Sequence, residues 1–355
     1  MFAVACFIQS SSLLASFLAP VALQDSWLVV LFGIVICLSL IWLYKELMML
    51  FPDKNLIQIL EQTFGTVAGK IFGALYLWFF LTLTSLNLFD LGNLTKLTIM
   101  DETPIEVLAI LCLLVSAVAI KQGVKLTTRY STPFFVTSVI ILVLTILLMF
   151  TQMNFQNFLP VLSQPAGKYI QGTHLISTVP FGELVIFLMI FPAVKIGRSK
   201  LTKFLFWGYI MGTLSVFAVI ASDIAVLGNM LDLFALPHLI ALRLVNLGPG
   251  LSRMEIFFIV VFILLLFFKI TILFYVTVLA AAQLFNAKSF KHLVYVVGAL
   301  IFAYGLTLYP DPVEHAQSVQ KVTPFIWTIF ELVIPLAVFI VAKIKKRPKP
   351  QKAEG

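Results

Sequence analysis

Hydrophobic positions in this chain form long continuous runs, unlike the alternating pattern of strands or the one-sided stripes of soluble helices. Each run is about 20 residues long, the length that an α-helix needs to cross the hydrocarbon core of a bilayer. Short polar segments separate the runs and carry most of the charge. The pattern predicts an all-α polytopic membrane protein with about ten transmembrane helices, at Phe2–Leu23, Trp27–Leu50, Lys70–Leu91, Ile105–Ile120, Tyr130–Thr151, Leu175–Val194, Phe204–Leu227, Met254–Leu284, Leu293–Tyr309 and Val322–Ala342.

The sixth predicted span, within the segment His174–Arg198, is interrupted near its middle. Pro180 and Gly182 disturb the helical hydrogen-bond pattern, and Glu183 adds a charge. Backbone groups freed by such a break survive in a membrane only inside protein or beside a watery cavity, where they can hold a ligand. A carboxylate at that depth should face the cavity. We expect a small polar molecule to bind here; the alternative is a structural carboxylate bonded to the freed backbone.

The first predicted span contains a second polar interruption. Gln9 is followed by Ser10, Ser11 and Ser12, and Pro20 comes a little over two turns later. Serines in membrane helices also bond to their own helix or join neighbouring helices, so simple packing is the alternative interpretation. The two interruptions lie five spans apart, as expected for the binding site of a transporter built from two halves. We therefore predict an inverted repeat of two five-span halves, at about residues 1–151 and 175–343.

Other charged residues within or near the predicted spans are candidates for function. Lys269 is the only basic residue deep within a span, and it could bind a ligand carboxylate or take the place of a coupling cation. Equally, it could pair with Glu183 or extend toward the membrane surface. Asp90 and Asp223 lie close to outer span ends and are interpreted as interface residues. Glu331 lies inside the last span, where its first interpretation is structural.

The segment between the second and third predicted spans combines an amphipathic helix with a glycine repeat. Residues 53–64 place apolar side chains on one side of a short helix, which should lie at the cytoplasmic surface. Glycines then recur at every fourth position and form a flat helix face for close packing within the bundle or against a partner. The apolar positions are Leu56, Ile57, Leu60 and Phe64, and the glycines are Gly65, Gly69 and Gly73.

Composition supports a membrane protein and excludes several soluble functions. Of the 355 residues, 61% are hydrophobic and only 11% are charged, whereas a soluble domain has about 25% charged residues. The three cysteines form no C-x-x-C pair, so neither a zinc site nor a disulfide framework is predicted. No phosphate-binding loop, HExxH motif or nucleophile–base pair is recognisable. We therefore predict no cofactor, no metal and no enzymatic activity.

The net charge of +8 reflects membrane topology rather than nucleic-acid binding. Eighteen of the 24 Lys and Arg residues fall in alternate loops and the tail, on one side of the predicted membrane. Positive residues concentrate on the cytoplasmic side, so both termini are predicted to be cytoplasmic. Residues 1–343 would form a single transmembrane bundle, and residues 344–355 a basic disordered cytoplasmic tail.

Five segments, taken in order, resemble the spore germination B-subunit family of endospore germination permeases. This family is a branch of the amino acid–polyamine–organocation transporter superfamily. The similarity covers nearly the whole chain, and the order, spacing and total length make it specific. The segments are QDSWLV at Gln24–Val29, TFGTVAGKIFG at Thr63–Gly73, PFGELVIFLMIFP at Pro180–Pro192, SRMEIFF at Ser252–Phe258 and PFIWTIFELVIP at Pro324–Pro335.

The resemblance implies a LeuT-like fold of five plus five spans in which the first and sixth helices are broken at the ligand. Carried onto this sequence, it implies ligand binding by Ser10, Ser11, Ser12, Phe181, Gly182 and Glu183. One departure is that the first break is expected to contain glycine, and QSSSLLAS has none. The resemblance also implies a nutrient germinant receptor subunit in the inner spore membrane, beside an A-type subunit and a C-type lipoprotein.

Two functional hypotheses use the same pocket. In the first, a small nutrient, commonly an amino acid in this family, shifts a transporter-like scaffold between states and the signal passes to partner subunits. In the second, the protein is a secondary active amino-acid permease. A structural scaffold would need no intramembrane carboxylate, so Glu183 argues against it. The residues alone do not separate sensing from transport.

Overall fold

A computed structural model describes residues 2–193, 198–245 and 255–346 of the protein. These residues form helices and connecting turns, and none of them lies in a β-strand. The predicted all-α polytopic architecture is confirmed. The first eight α-helices are α1 Phe2–Ala22, α2 Ser26–Leu50, α3 Leu56–Phe64, α4 Thr66–Thr98, α5 Ile105–Gln122, α6 Val124–Met149, α7 Ala166–Thr178 and α8 Phe187–Ile190. The remaining seven are α9 Arg198–Leu227, α10 Pro237–Arg243, α11 Glu255–Leu284, α12 Val294–Thr307, α13 Pro312–Lys321, α14 Thr323–Thr328 and α15 Ile334–Lys346.

Within the described residues, eight helical stretches are long and apolar enough to cross a membrane. The number becomes nine if α12 and α13, which meet at 94°, form one bent span. The sequence predicts about ten, and part of the difference arises in Leu13–Leu50, which counts as one apolar stretch. That stretch contains a 3-10 turn at Leu23–Asp25, where the sequence places the boundary between two spans.

The interior of the bundle is organised around α1, α4 and α11. α1 packs against α7, α9 and α11, and α11 packs against α4, α5 and α6 as well. Large apolar side chains remain on the outer surface of the spans, such as Val35 (67% exposed), Ile71 (59%) and Phe257 (61%). Such a surface suits a protein whose outer solvent is lipid, because apolar side chains facing lipid carry no exposure penalty.

The sixth predicted span is broken where its sequence indicates. α7 ends at Thr178, a turn through Val179–Phe181 follows, and a 3-10 segment runs from Gly182 to Ile186. α8 and a second 3-10 turn, Phe191–Ala193, continue the chain, and Val194 lies outside the described residues. Pro180 lacks the N–H that a continuing helix would need, which accounts for the end of α7.

The predicted break in the first span is wrong. α1 is one continuous helix from Phe2 to Ala22 and includes Ser10, Ser11 and Ser12. A serine hydroxyl can bond to a carbonyl of its own helix without opening it, as Ser16 does with the carbonyl of Leu13 at 2.6 Å. Pro20 lies only two residues before the helix end. Polar side chains alone therefore do not unwind this span.

The predicted amphipathic helix and glycine face are both present, and they pack against each other. α3 begins with a capping box between Asn55 and Gln58 and buries Leu56 and Leu60 completely. Gly65, with φ of 87°, separates α3 from α4, and the two helices then lie in contact. The glycine face thus serves packing inside the bundle.

At the other end of the chain, α15 continues to Lys346, and residues 347–355 of the predicted tail lie outside the described residues.

We predict that Gly69→Ala destabilises the protein. A methyl group at position 69 would overlap the backbone of Glu61 in α3, and overpacking of this kind costs about 1–3 kcal/mol. The gain in helix propensity is at most about 1 kcal/mol, so the net effect is a lower melting temperature in detergent. The matched control is Gly167→Ala, a helical position at which an added methyl meets no atom within 4 Å. Equal melting temperatures of the two variants would contradict the packing assignment.

Candidate functional site: a buried charge pair at the broken span

The break in the sixth span brings a carboxylate and an ammonium into contact inside the bundle. Lys269 Nζ lies 2.8 Å from Glu183 Oε2, and it also donates to Ser10 Oγ at 3.1 Å. Glu183 and Lys269 are only 6% and 4% exposed. Of the roles considered for Lys269, the buried pair with Glu183 is the one that the structure shows.

Three elements place these groups. Glu183 is the second residue of the 3-10 segment that follows the break, so the irregular backbone carries it into the interior. Lys269 lies at the middle of α11, whose surrounding residues are almost entirely apolar. Ser10 comes from the continuous helix α1. A charge buried in such surroundings is tolerated only when it is paired and hydrogen-bonded, which is the arrangement found here.

A small cavity of about 40 Å³ adjoins the charge pair. A space of about 10–15 Å³ on the same measure holds one water molecule, so the cavity has room for a few heavy atoms. Its wall is unusually polar for the interior of a membrane protein. The polar residues that line it are Ser10, Asn87, Asp90, Glu183, Lys269 and His315.

A second ionisable pair lies on one side of this cavity. His315 Nδ1 lies 3.2 Å from Asp90 Oδ1, and the rings of Phe17, Phe89 and Tyr309 surround the imidazole at 5.1–5.9 Å between centroids. A larger cavity of about 760 Å³, here called the vestibule, shares Phe17, Asp90 and His315 with the small cavity. These three residues form a layer that separates the vestibule from the charge pair. Nothing in the sequence connects Asp90 with His315, which lie in separate helices.

The other predicted site residues occupy different surroundings. Ser11 is fully buried in α1, and the side chain of Ser12 lies outside the described atoms. Phe181 is buried against the ring of Tyr209, with 5.8 Å between centroids, and Gly182 lies against the carboxylate of Glu331. Ser10, Glu183 and Lys269 are thus brought together at the cavity, whereas Phe181 and Gly182 do not line it. Their role in ligand binding stays a prediction.

Asp223 is not the interface residue that its position near a span end suggests. It is fully buried in α9, and its Oδ1 lies 2.6 Å from His238 Nδ1 of α10. This pair connects α10 to the bundle, away from the central cavity.

Within the described residues, no group of three or more His, Cys, Asp or Glu side chains is arranged to hold a metal ion.

A bundle of apolar helices with a broken span and a buried charge pair beside a polar cavity defines a multi-pass membrane protein. A family model described as "Spore germination protein" matches residues 1–310. The chain therefore belongs to the spore germination protein family, as the resemblance of its segments indicates.

Named relatives from Bacillus subtilis (strain 168) are similar over almost their whole length. Spore germination protein KB is 28% identical over 337 residues, covering 94% of this chain and 90% of that protein. The putative spore germination protein YfkT is 23% identical and covers 91% of this chain and 88% of its own. Spore germination protein YndE is 24% identical, with the same coverage of 91% and 88%.

We predict that Lys269→Met lowers the free energy of unfolding by about 3–5 kcal/mol, because it leaves the Glu183 carboxylate buried without its counter-charge. The double variant Lys269→Met with Glu183→Gln should recover much of that loss, since it leaves no isolated charge. Thermal unfolding of the purified protein in detergent measures both effects.

The matched control for this cycle is Lys45→Met. Lys45 Nζ lies 3.2 Å from Glu46 Oε1, but both side chains are partly exposed, and such pairs contribute about 0–1 kcal/mol. Additive losses in the Lys269 and Glu183 variants would mean that the two groups do not interact, contrary to the structure.

Proposed function

We propose that this protein is a nutrient germinant receptor subunit that binds a small nutrient, most simply an amino acid, in the central cavity. The observation that carries the proposal is the buried Lys269–Glu183 pair, which reaches the cavity together with Ser10 at the break of the sixth span. Intramembrane ionisable groups that face a cavity in a broken-helix bundle mark ligand pathways. The family to which the chain belongs supports a role in spore germination.

The polar groups of the cavity suit a zwitterion. A Lys ammonium has three N–H donors, and the described contacts of Lys269 engage Glu183 and Ser10. The remaining donor is available to a ligand carboxylate. Asp90 and Glu183 both line the cavity, so either carboxylate can accept hydrogen bonds from a ligand ammonium. In this proposal Lys269 also supplies a permanent positive charge at a place where a coupled transporter would bind a cation.

Access from the outer vestibule fits the position of the cavity. A nutrient entering the vestibule would meet the layer of Phe17, Asp90 and His315 before it reached Glu183. The small volume of the cavity favours a compact ligand, or a larger one that displaces Phe17. A ligand that binds one arrangement of this layer better than another would shift the equilibrium between them, as sensing requires.

The proposed setting follows the resemblance noted in the sequence. The protein would lie in the inner spore membrane with both termini in the cytoplasm, beside an A-type subunit and a C-type lipoprotein.

A secondary active amino-acid permease is the second candidate, and the broken sixth span supports this function as well as it supports a sensor. The two differ in whether the bound nutrient is released on the other side.

We predict that Glu183→Gln strongly reduces the germination response to nutrient while the protein still inserts into the membrane. Gln keeps the shape of the side chain but cannot neutralise Lys269 or attract a ligand ammonium. Germination rate over a range of nutrient concentrations, together with the amount of the subunit in spore membranes, checks this outcome. Glu102→Gln is the control, because Glu102 is exposed and outside the cavity. An unchanged nutrient response in Glu183→Gln spores would exclude Glu183 from the site.

A transport assay separates the two candidates. For a sensor, we expect lipid vesicles that contain only this protein to bind a labelled nutrient without accumulating it against a gradient. Thermal stabilisation by the same nutrient provides the independent measure of binding, because a ligand stabilises the folded state by RT ln(1 + [L]/Kd). Accumulation driven by an ion gradient would establish the permease instead.

A further inference from the structure

A third cavity lies beside the broken span and has different lining residues from the cavity at the charge pair. It is a groove of about 750 Å³ between α2, α7 and the last span. Its walls are largely apolar and outward-facing: Val35 is 67% exposed and Ile170 is 72% exposed. Because exposed apolar faces of transmembrane helices meet lipid, the groove opens sideways to the bilayer.

An acidic side chain without a partner lies at the inner wall of this groove. Glu331 is 1% exposed, and neither of its carboxylate oxygens has a hydrogen-bond partner among the described residues. The hydroxyl of Ser177, on α7 at the same wall, is buried and lacks a partner in the same sense. Three oxygens on one apolar groove are therefore buried without donors.

The fold uses the backbone of Glu331 but not its carboxylate. Residues 329–333 form a π-helical turn between α14 and α15. Tyr44 donates to the carbonyl of Glu331 at 2.6 Å and to that of Gly182 at 3.2 Å, and Tyr76 donates to the carbonyl of Phe330 at 2.6 Å. Both tyrosines thus hold the π-turn through main-chain oxygens. π-Helical turns inside α-helices are found frequently at functional sites.

A buried carboxylate that stabilises nothing is a cost to the fold. Leaving such a group without hydrogen bonds costs several kcal/mol in an apolar medium. A structural role would require a donor from a neighbouring side chain, and the described surroundings supply none. The group that satisfies Glu331 must therefore carry N–H or O–H donors and, for an ionised carboxylate, a positive charge.

We propose that this groove binds a small apolar molecule through a primary ammonium group. A primary ammonium has three N–H donors and one positive charge, which match the two oxygens of Glu331 and the hydroxyl of Ser177. The apolar remainder of the molecule would lie against groove residues such as Val35 and Ile170. An alcohol offers a single donor and no charge, and a quaternary ammonium offers charge without donors.

Three probes of equal chain length test this assignment on the full chain in lipid nanodiscs. Hexylamine, hexanol and hexyltrimethylammonium share the apolar tail and differ in charge and donors. We expect hexylamine to raise the melting temperature at concentrations where the other two have little effect. Equal stabilisation by hexylamine and hexanol would overturn the proposal, because the groove would then accept any short apolar chain.

Two variants locate the binding group. Glu331→Gln should weaken hexylamine binding about 10- to 100-fold, as expected for loss of a charge-assisted hydrogen bond, and should remove the preference over hexanol. Ser177→Ala should weaken it by a smaller factor. Glu102→Gln, an exposed position outside the groove, should leave hexylamine affinity unchanged. If Glu331→Gln does not fold, the comparison of the three probes on the unaltered protein and on Ser177→Ala still tests whether the groove binds the amine. Unchanged affinity in both groove variants would place the amine elsewhere.

Discussion

The structure depends on one electrostatic constraint, which is that Lys269 and Glu183 must remain together. Removing either charge from water costs several kcal/mol even after the protein relaxes, and only close pairing with hydrogen bonds offsets this cost. The pair therefore restrains α11 and the segment after the break in the sixth span, and Ser10 adds α1 to the same contact. A rotation of any of these elements that separated the two charges would leave both uncompensated inside the bundle. The irregular backbone of the sixth span places Glu183 in this contact.

The break in the sixth span borders two cavities, the central cavity and the groove at Glu331, and Gly182 lies between them. The residue precedes Glu183, which faces the central cavity, while its own Cα lies against the carboxylate of Glu331 in the lateral groove. A side chain at position 182 would overlap that carboxylate, so any larger residue there would require the Glu331 side chain to move. Because Tyr44 donates to the carbonyls of both Gly182 and Glu331, the break and the π-turn are also joined through their backbones. A shift of the π-turn would therefore be transmitted to the residue next to Glu183.

The sequence predicts the sixth-span break and its carboxylate because Pro, Gly and a charge within a membrane span are local signals with direct physical meaning. It also predicts α3 and the packing of the glycine face, since both follow from helical spacing. The predicted break at Ser10–Ser12 is wrong, because serine side chains can be accommodated in a helix without opening its backbone. Pairs such as Asp90–His315 and Asp223–His238 could not be predicted, because they depend on how distant helices meet. The isolation of Glu331 has the same origin, since a missing partner is visible only once the neighbours are in place.

Charge balance argues for the kind of ligand proposed for the central cavity. The Lys269–Glu183 pair is neutral as a unit, and the surrounding helices offer little solvation for an added net charge. A ligand carrying a single charge would leave that charge uncompensated or compete for one member of the pair. A zwitterion adds one charge of each sign, so it can contact Lys269 and a carboxylate of the wall while the site remains neutral. The same reasoning predicts a different ligand charge for the groove at Glu331. Its unpartnered carboxylate is balanced by a ligand that brings a single positive charge.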